Sequence, residues 1–208
     1  MRKPRTHSAN NSPSLNEGLK FFFKSNLTLL ILMLLLLTNT FSWKEDRIGL
    51  IVMMLTSAEL YILLLSILTV IKPIETNKKK IGRFSKPELI GLLLVIIFIS
   101  IFSLGFTGAE LPFPSTIIML ILVMNSMIAF FSLVFHKFSI ILYEANVYPE
   151  NESVTNYVFK YIAIVFSGIN YHVQSTLDRM PLLINKLLAA VFLLLLIWEN
   201  MLLLFYFE

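Results

Sequence analysis

Glu59 stands near the middle of an apolar run, Ile48 to Ile71, and is its one charged residue. A helix needs about 20 apolar residues to cross the ~30 Å hydrocarbon core of a bilayer, and this run is long enough. A carboxylate at the centre of such a helix costs roughly 2.5–3.5 kcal/mol on insertion scales. An interior-facing position, a partner, a proton or a water-filled cavity must offset that cost. Two kinds of chemistry fit. One is a proton- or cation-sensitive site or gating contact. The other is an interhelical hydrogen bond from a protonated Glu59 to Asn125 or a backbone carbonyl, typically ~0.6–2 kcal/mol. Asn125 and Ser126 interrupt a second apolar run, Glu199 and Asn200 a third, and Asn39 lies toward the end of another.

A second constellation lies between Asn156 and Lys186. A short apolar helix, Tyr157 to Phe166, leads into Ser167-Gly168-Ile169-Asn170-Tyr171-His172, and a long hydrophobic helix follows. The order resembles the outer helix, pore helix, filter loop and inner helix of tetrameric cation channels. That resemblance would make Ser167, Gly168, Asn170 and Tyr171 pore-loop residues. The potassium-channel filter Thr-x-Gly-Tyr-Gly is absent, with Asn170 and His172 where its glycines would stand, so a ring of backbone carbonyls is not supported. The alternative is an amphipathic interfacial helix.

The third cluster is basic: Lys78, Lys79, Lys80 and Arg83 in a loop that also holds Lys72 and Lys86. Near an anionic leaflet each such charge is worth ~1 kcal/mol. Lipid contact and orientation account for the cluster, and docking of an acidic cytoplasmic partner is the second use. The chain carries no cysteine, which removes disulfides, thiolate metal sites and cysteine nucleophiles. His7, His136 and His172 are scattered without i, i+4 pairing, and a metal site needs at least three converging ligands. No Gly-rich phosphate loop, nucleophile elbow or HExxH helix is present. The expectation is a protein that is not an enzyme and carries no cofactor or metal.

The elements that must hold these residues are hydrophobic. Of 208 residues 57% are hydrophobic and 14% charged, against about 25% charged in a soluble domain. The apolar residues come in continuous blocks, not in the period-two alternation of a barrel strand. The fold class is therefore an all-α polytopic membrane protein, with four to five transmembrane helices plus a short re-entrant or interfacial helix. Residues 1–24 read as a flexible basic tail and 25–143 as four spans. Residues 144–180 read as a polar loop with the short apolar helix, and 181–208 as a C-terminal hydrophobic helix. That last helix either crosses as a fifth span or lies buried against its neighbours.

The net charge of +4 is distributed as a topology signal, with basic residues flanking spans, and direct nucleic-acid binding is not expected. The tail (Arg2, Lys3, Arg5, Lys20, Lys24) and the loop from Lys72 to Lys86 are separated by two spans, which puts both in the cytoplasm. The Gly108–Pro114 connection, without a basic residue, then faces outward.

In length, span count and layout, and in its Asn-, Lys-, Ile- and Phe-rich composition, the chain resembles small accessory membrane proteins of bacterial defence loci. Among these it is most similar to the membrane subunit of the Kiwa anti-phage system. The resemblance implies a homotetramer in the inner membrane that senses phage at the envelope and holds a soluble DNA-binding effector on the cytoplasmic face. Two further readings are an oligomeric ion channel and an immunity protein that occludes a pore-forming toxin in the bilayer. The partners expected are the lipid bilayer, further copies of the chain and a soluble effector protein.

Overall fold

In a computed structural model the described residues are 13–39, 48–73, 84–105, 111–149 and 151–207. Among them the chain forms six α-helices and no strand: α1 Leu15–Leu37, α2 Ile48–Ile71, α3 Lys86–Leu104, α4 Ser115–Val147, α5 Val154–Leu177 and α6 Leu182–Phe207. All but α5 are long and apolar enough to cross a bilayer. The protein is an all-α polytopic membrane protein. Helices are required because each backbone N–H and C=O must find its partner within the segment in lipid.

Local chemistry sets the ends. The Ser85 hydroxyl accepts from the Glu88 N–H at 3.3 Å, a Ser-x-x-Glu start with Pro87 in the first turn of α3. Ser153 caps α5 the same way, accepting from the Asn156 N–H at 3.2 Å. At the far end of α2, Pro73 disfavours a helical conformation at Lys72. Within the spans, Ser66, Thr69, Ser126 and Ser132 each donate to the carbonyl four residues back, so their hydroxyls need no water.

The main core joins α1, α2, α4, α5 and α6 around Leu36, Leu65, Leu122, Leu177, Phe192 and Leu203. A smaller one joins α3, α4 and α5 around Val95, Ile99, Leu120 and Phe166. Large apolar side chains such as Phe23, Ile101, Phe130 and Leu194 stay exposed, which lipid explains.

Three expectations are corrected. Residues 15–24, assigned to the flexible tail, form the first turns of α1: the Ser14 N–H donates to Val70 O at 2.9 Å, and Gly18 lets the helix close on Val70 and Ser66. The polar loop placed after Tyr143 begins only after Val147, because α4 continues to that residue. The short apolar helix and pore-like loop are one uninterrupted helix, α5, of 24 residues. Ser167, Gly168, Asn170 and Tyr171 lie inside it, so no filter loop exists there. Its polar residues do not end the helix because they face α4, which supplies their hydrogen bonds.

Candidate functional site: a broken helix and its polar clasp

Helix α4 is 33 residues long, and Phe135 within it has non-helical φ −117° and ψ 47°. The Ser132 and Ser139 hydroxyls, seven residues apart, hydrogen-bond at 2.9 Å. In a straight helix seven residues rise about 10.5 Å. The break therefore folds the second segment, from His136 onward, back toward the first.

Helix α5 lies against both segments. Asn170, 2% exposed, donates from Nδ2 to Ser132 Oγ at 3.0 Å and accepts from Gln174 Nε2 at 3.4 Å. Its backbone N–H donates to Asn125 Oδ1 at 3.1 Å, while Asn125 Nδ2 donates to Ile121 O. One residue on, Tyr171 meets the second segment: its ring stacks on Tyr143 with centroids 4.0 Å apart, and its hydroxyl donates to Glu144 Oε1 at 3.2 Å. Burial first, then the Glu144 charge, pushes the Tyr171 hydroxyl above its usual pKa. Consecutive residues of α5 thus touch positions 125 and 144, which a straight helix would hold about 28 Å apart.

The ends of α5 are tied as well. Near its start, Lys160 donates to Glu88 Oε1 at 2.6 Å and the Tyr161 hydroxyl donates to the same oxygen at 3.1 Å. Burial, together with that hydrogen bond, raises Tyr161 to about 12. Just past its end Asp178 pairs with His136 at 3.0 Å, beside the break. Lys24 donates to His172 Nε2 at 3.0 Å, and burial, with the lysine charge second, lowers that imidazole to about 4. His172 is therefore a neutral acceptor at pH 7.

Basic groups gather around the break. Lys72 at the end of α2 donates to Arg179 O at 2.7 Å, and the Arg179 guanidinium donates back to Pro73 O. Lys186, in the first turns of α6, donates to Leu133 O. With Lys137 exposed beside His136, the end of α2, the break of α4, the end of α5 and the start of α6 form one basic face. The Ser14–Val70 bond brings the start of α1 to the same face. At the other end, Asn39 donates to Ser115 Oγ at 2.8 Å and to Pro112 O at 3.2 Å.

The structure brings Asn125 and Asn170 together, two residues singled out separately. It does not bring Asn125 to Glu59. Asn26 Nδ2 is 3.5 Å from Glu59 Oε2, so α1 rather than α4 supplies the neighbour, and the Asn125 pairing is replaced. Glu199, 7% exposed, accepts from Ser57 Oγ at 2.6 Å, and Asn200 donates to Ser126 Oγ at 3.2 Å. Ser167 donates to Ala163 O within α5. Lys78, Lys79, Lys80 and Arg83 lie outside the described residues.

Sequence reasoning missed Ser132, Ser139, Gln174, Asp178 and Asn26. A signal existed for Gln174, which sits four residues after Asn170 on the same helical face. What the clasp offers is hydrogen bonding and conformational control: buried amides and hydroxyls closing a break in a helix. No protein-family model, curated protein or solved structure matches the chain.

Proposed function

We propose that this protein is a non-enzymatic membrane sensor and scaffold whose basic face recruits a soluble effector, in a bacterial anti-phage defence complex. The observation that carries this reading is the convergence of Lys72, Lys137, Arg179 and Lys186 on the broken part of α4. In the sequence, Lys78, Lys79, Lys80 and Arg83 follow Lys72 within eleven residues. Lysine and arginine bias assigns the face to the cytoplasm of an inner-membrane protein, with α6 as a fifth crossing. An acidic effector surface is its electrostatic complement.

The sensing half of the proposal rests on the clasp. The structure holds α4 broken at Phe135 and folded back by Ser132, Ser139 and Asn170, and the proposal adds an extended arrangement in which those bonds are open. The balance of the two arrangements couples the apolar part of α4 to the basic face. A ligand or envelope disturbance shifts that balance only by as much as it prefers one arrangement. The tetramer and the phage stimulus enter through the resemblance to the Kiwa membrane subunit.

The test is co-purification with soluble proteins encoded by neighbouring genes, after co-expression and detergent extraction. Lys78, Lys79 and Arg83 changed together to Glu should abolish recovery of the soluble protein while the membrane protein stays monodisperse. Unchanged recovery rejects the docking role. Phage plating on cells carrying the pair, with and without the reversal, tests the defence assignment separately.

A further inference from the structure

A cleft of about 290 Å³ lies between α1 and α2, and none of its lining residues belongs to the clasp or the basic face. Leu30, Met33, Ile51 and Leu55 line it together with Asn26 and Glu59, and Leu36, 1% exposed, closes its inner wall. Leu30 and Leu37 are 54% and 44% exposed, so its mouth opens outward where lipid lies. Glu59 is eleven residues from Ile48 and twelve from Ile71, which puts it about 16–18 Å from either end of α2, near mid-bilayer. Among the described residues its carboxylate receives one hydrogen bond, the long 3.5 Å contact from Asn26, whose Nδ2 is shared with Phe22 O at 3.2 Å.

We propose that this cleft binds a lipophilic amine from the bilayer, an apolar body bearing one cationic nitrogen. Charge complementarity selects the occupant. The walls are aliphatic, and the one charged side chain lining the cleft is an under-coordinated carboxylate. An ammonium N–H donates to Glu59, with the Asn26 carbonyl oxygen as a second acceptor, while the hydrocarbon body fills the space along Leu30, Met33 and Leu55. The volume lies near the lower end of small-molecule sites, which run from about 300 to 1,000 Å³ and share this mostly apolar lining with few polar groups. An anion is repelled by Glu59. A neutral chain leaves the carboxylate as poorly partnered as before.

The experiment is photolabelling of the full chain in nanodiscs with a diazirine derivative of decylamine, mapped by mass spectrometry. Labelling should concentrate on the segments 29–37 and 51–59, be competed by decylamine and be little affected by decanol. Glu59→Gln should cut it by about tenfold or more, the loss expected from one charge-assisted hydrogen bond, and Glu59→Asp should restore part of it. Leu30→Trp fills the cleft without touching the carboxylate and should also block labelling, which decides the matter if Glu59→Gln does not fold. Equal competition by decanol would reveal an acyl chain as occupant and overturn the proposal. So would labelling unchanged in both variants, or labelling spread evenly over lipid-facing residues. Neither result bears on effector recruitment, whose test uses the basic loop.

Discussion

Replacing Asn170 by Ala should open the break in α4. The substitution removes the Nδ2 bond to Ser132 and the acceptor for Gln174, and keeps the backbone N–H that donates to Asn125. Side-chain hydrogen bonds between membrane helices average about 0.6 kcal/mol and reach about 1.7. The bond to Ser132 crosses between helices and the one to Gln174 stays within α5, where its loss leaves a buried amide unmatched. Together they make an expected loss of about 1–2 kcal/mol. Ser132 keeps its bond to Ile128 O, which holds the figure at that level.

The absence of cysteine permits a direct readout, because engineered pairs carry spin labels without background. Met127 and Leu142 are exposed and lie on opposite sides of the break. A straight helix would separate their Cα atoms by about 22 Å. The wild type should give a narrow distribution at a distance distinct from that value, and Asn170→Ala should broaden it toward the straight-helix separation. Denaturation in mixed micelles should show the matching stability loss. Asn146→Ala, which removes a bond to Leu142 O within the same segment, serves as a control with little effect. A wild-type distance at the straight-helix value would refute the folded-back arrangement. An Asn170→Ala distribution identical to wild type would refute the clasp.

Gly91→Ala should loosen α3 from α5, because the new Cβ would come 2.6 Å from Tyr157 Cβ and 3.2 Å from backbone. A thermal melt should show a loss of about 1–3 kcal/mol, whereas Gly49→Ala, with nothing within 4 Å, should be neutral or gain about 0.5–1 kcal/mol. The lowered His172 pKa makes stability full above the unfolded value near 6.5 and lost as pH falls toward about 4, since the unfolded chain takes the proton first. The loss should reach roughly 3 kcal/mol at the acid end, and melts between pH 7 and 4.5 should show that slope in the wild type and not in His172→Gln. A double-mutant cycle on Glu88→Gln and Lys160→Met should give a coupling of about 1 kcal/mol, their contact being 2.6 Å with both side chains largely shielded; zero coupling would remove that pair as an anchor of α5.

How far these features could be read in advance follows from what each depends on. The five apolar helices depend on composition over some twenty residues, and the start of α3 on Ser85 and Glu88 three positions apart, so a single chain suffices. Helix α5 was harder because its identity rests on what lies beside it. Phe166, Asn170, Val173, Gln174 and Leu177 are all buried and fall at i, i+4, i+7, i+8 and i+11, a helical face that mixes amides with apolar groups. Read for hydrophobicity alone, such a face looks like a loop. It becomes a helix once α4 is known to offer Ser132 and Asn125.

The break at Phe135 has no proline or glycine near it, the usual causes of a sharp kink. Length was the available clue. A straight helix from Ser115 to Val147 would be about 50 Å long, well beyond a ~30 Å core, so the chain had reason to turn or emerge near His136 and Lys137. The partner of Glu59 had no such clue. Its neighbour is set by which helix packs on that face of α2, and α1 and α4 each carry an asparagine in an apolar setting, Asn26 and Asn125. Asn125 is taken up by the backbone N–H of Asn170. Helix α1 is the one that packs on that face, which leaves Glu59 to Asn26 and the open α1–α2 cleft.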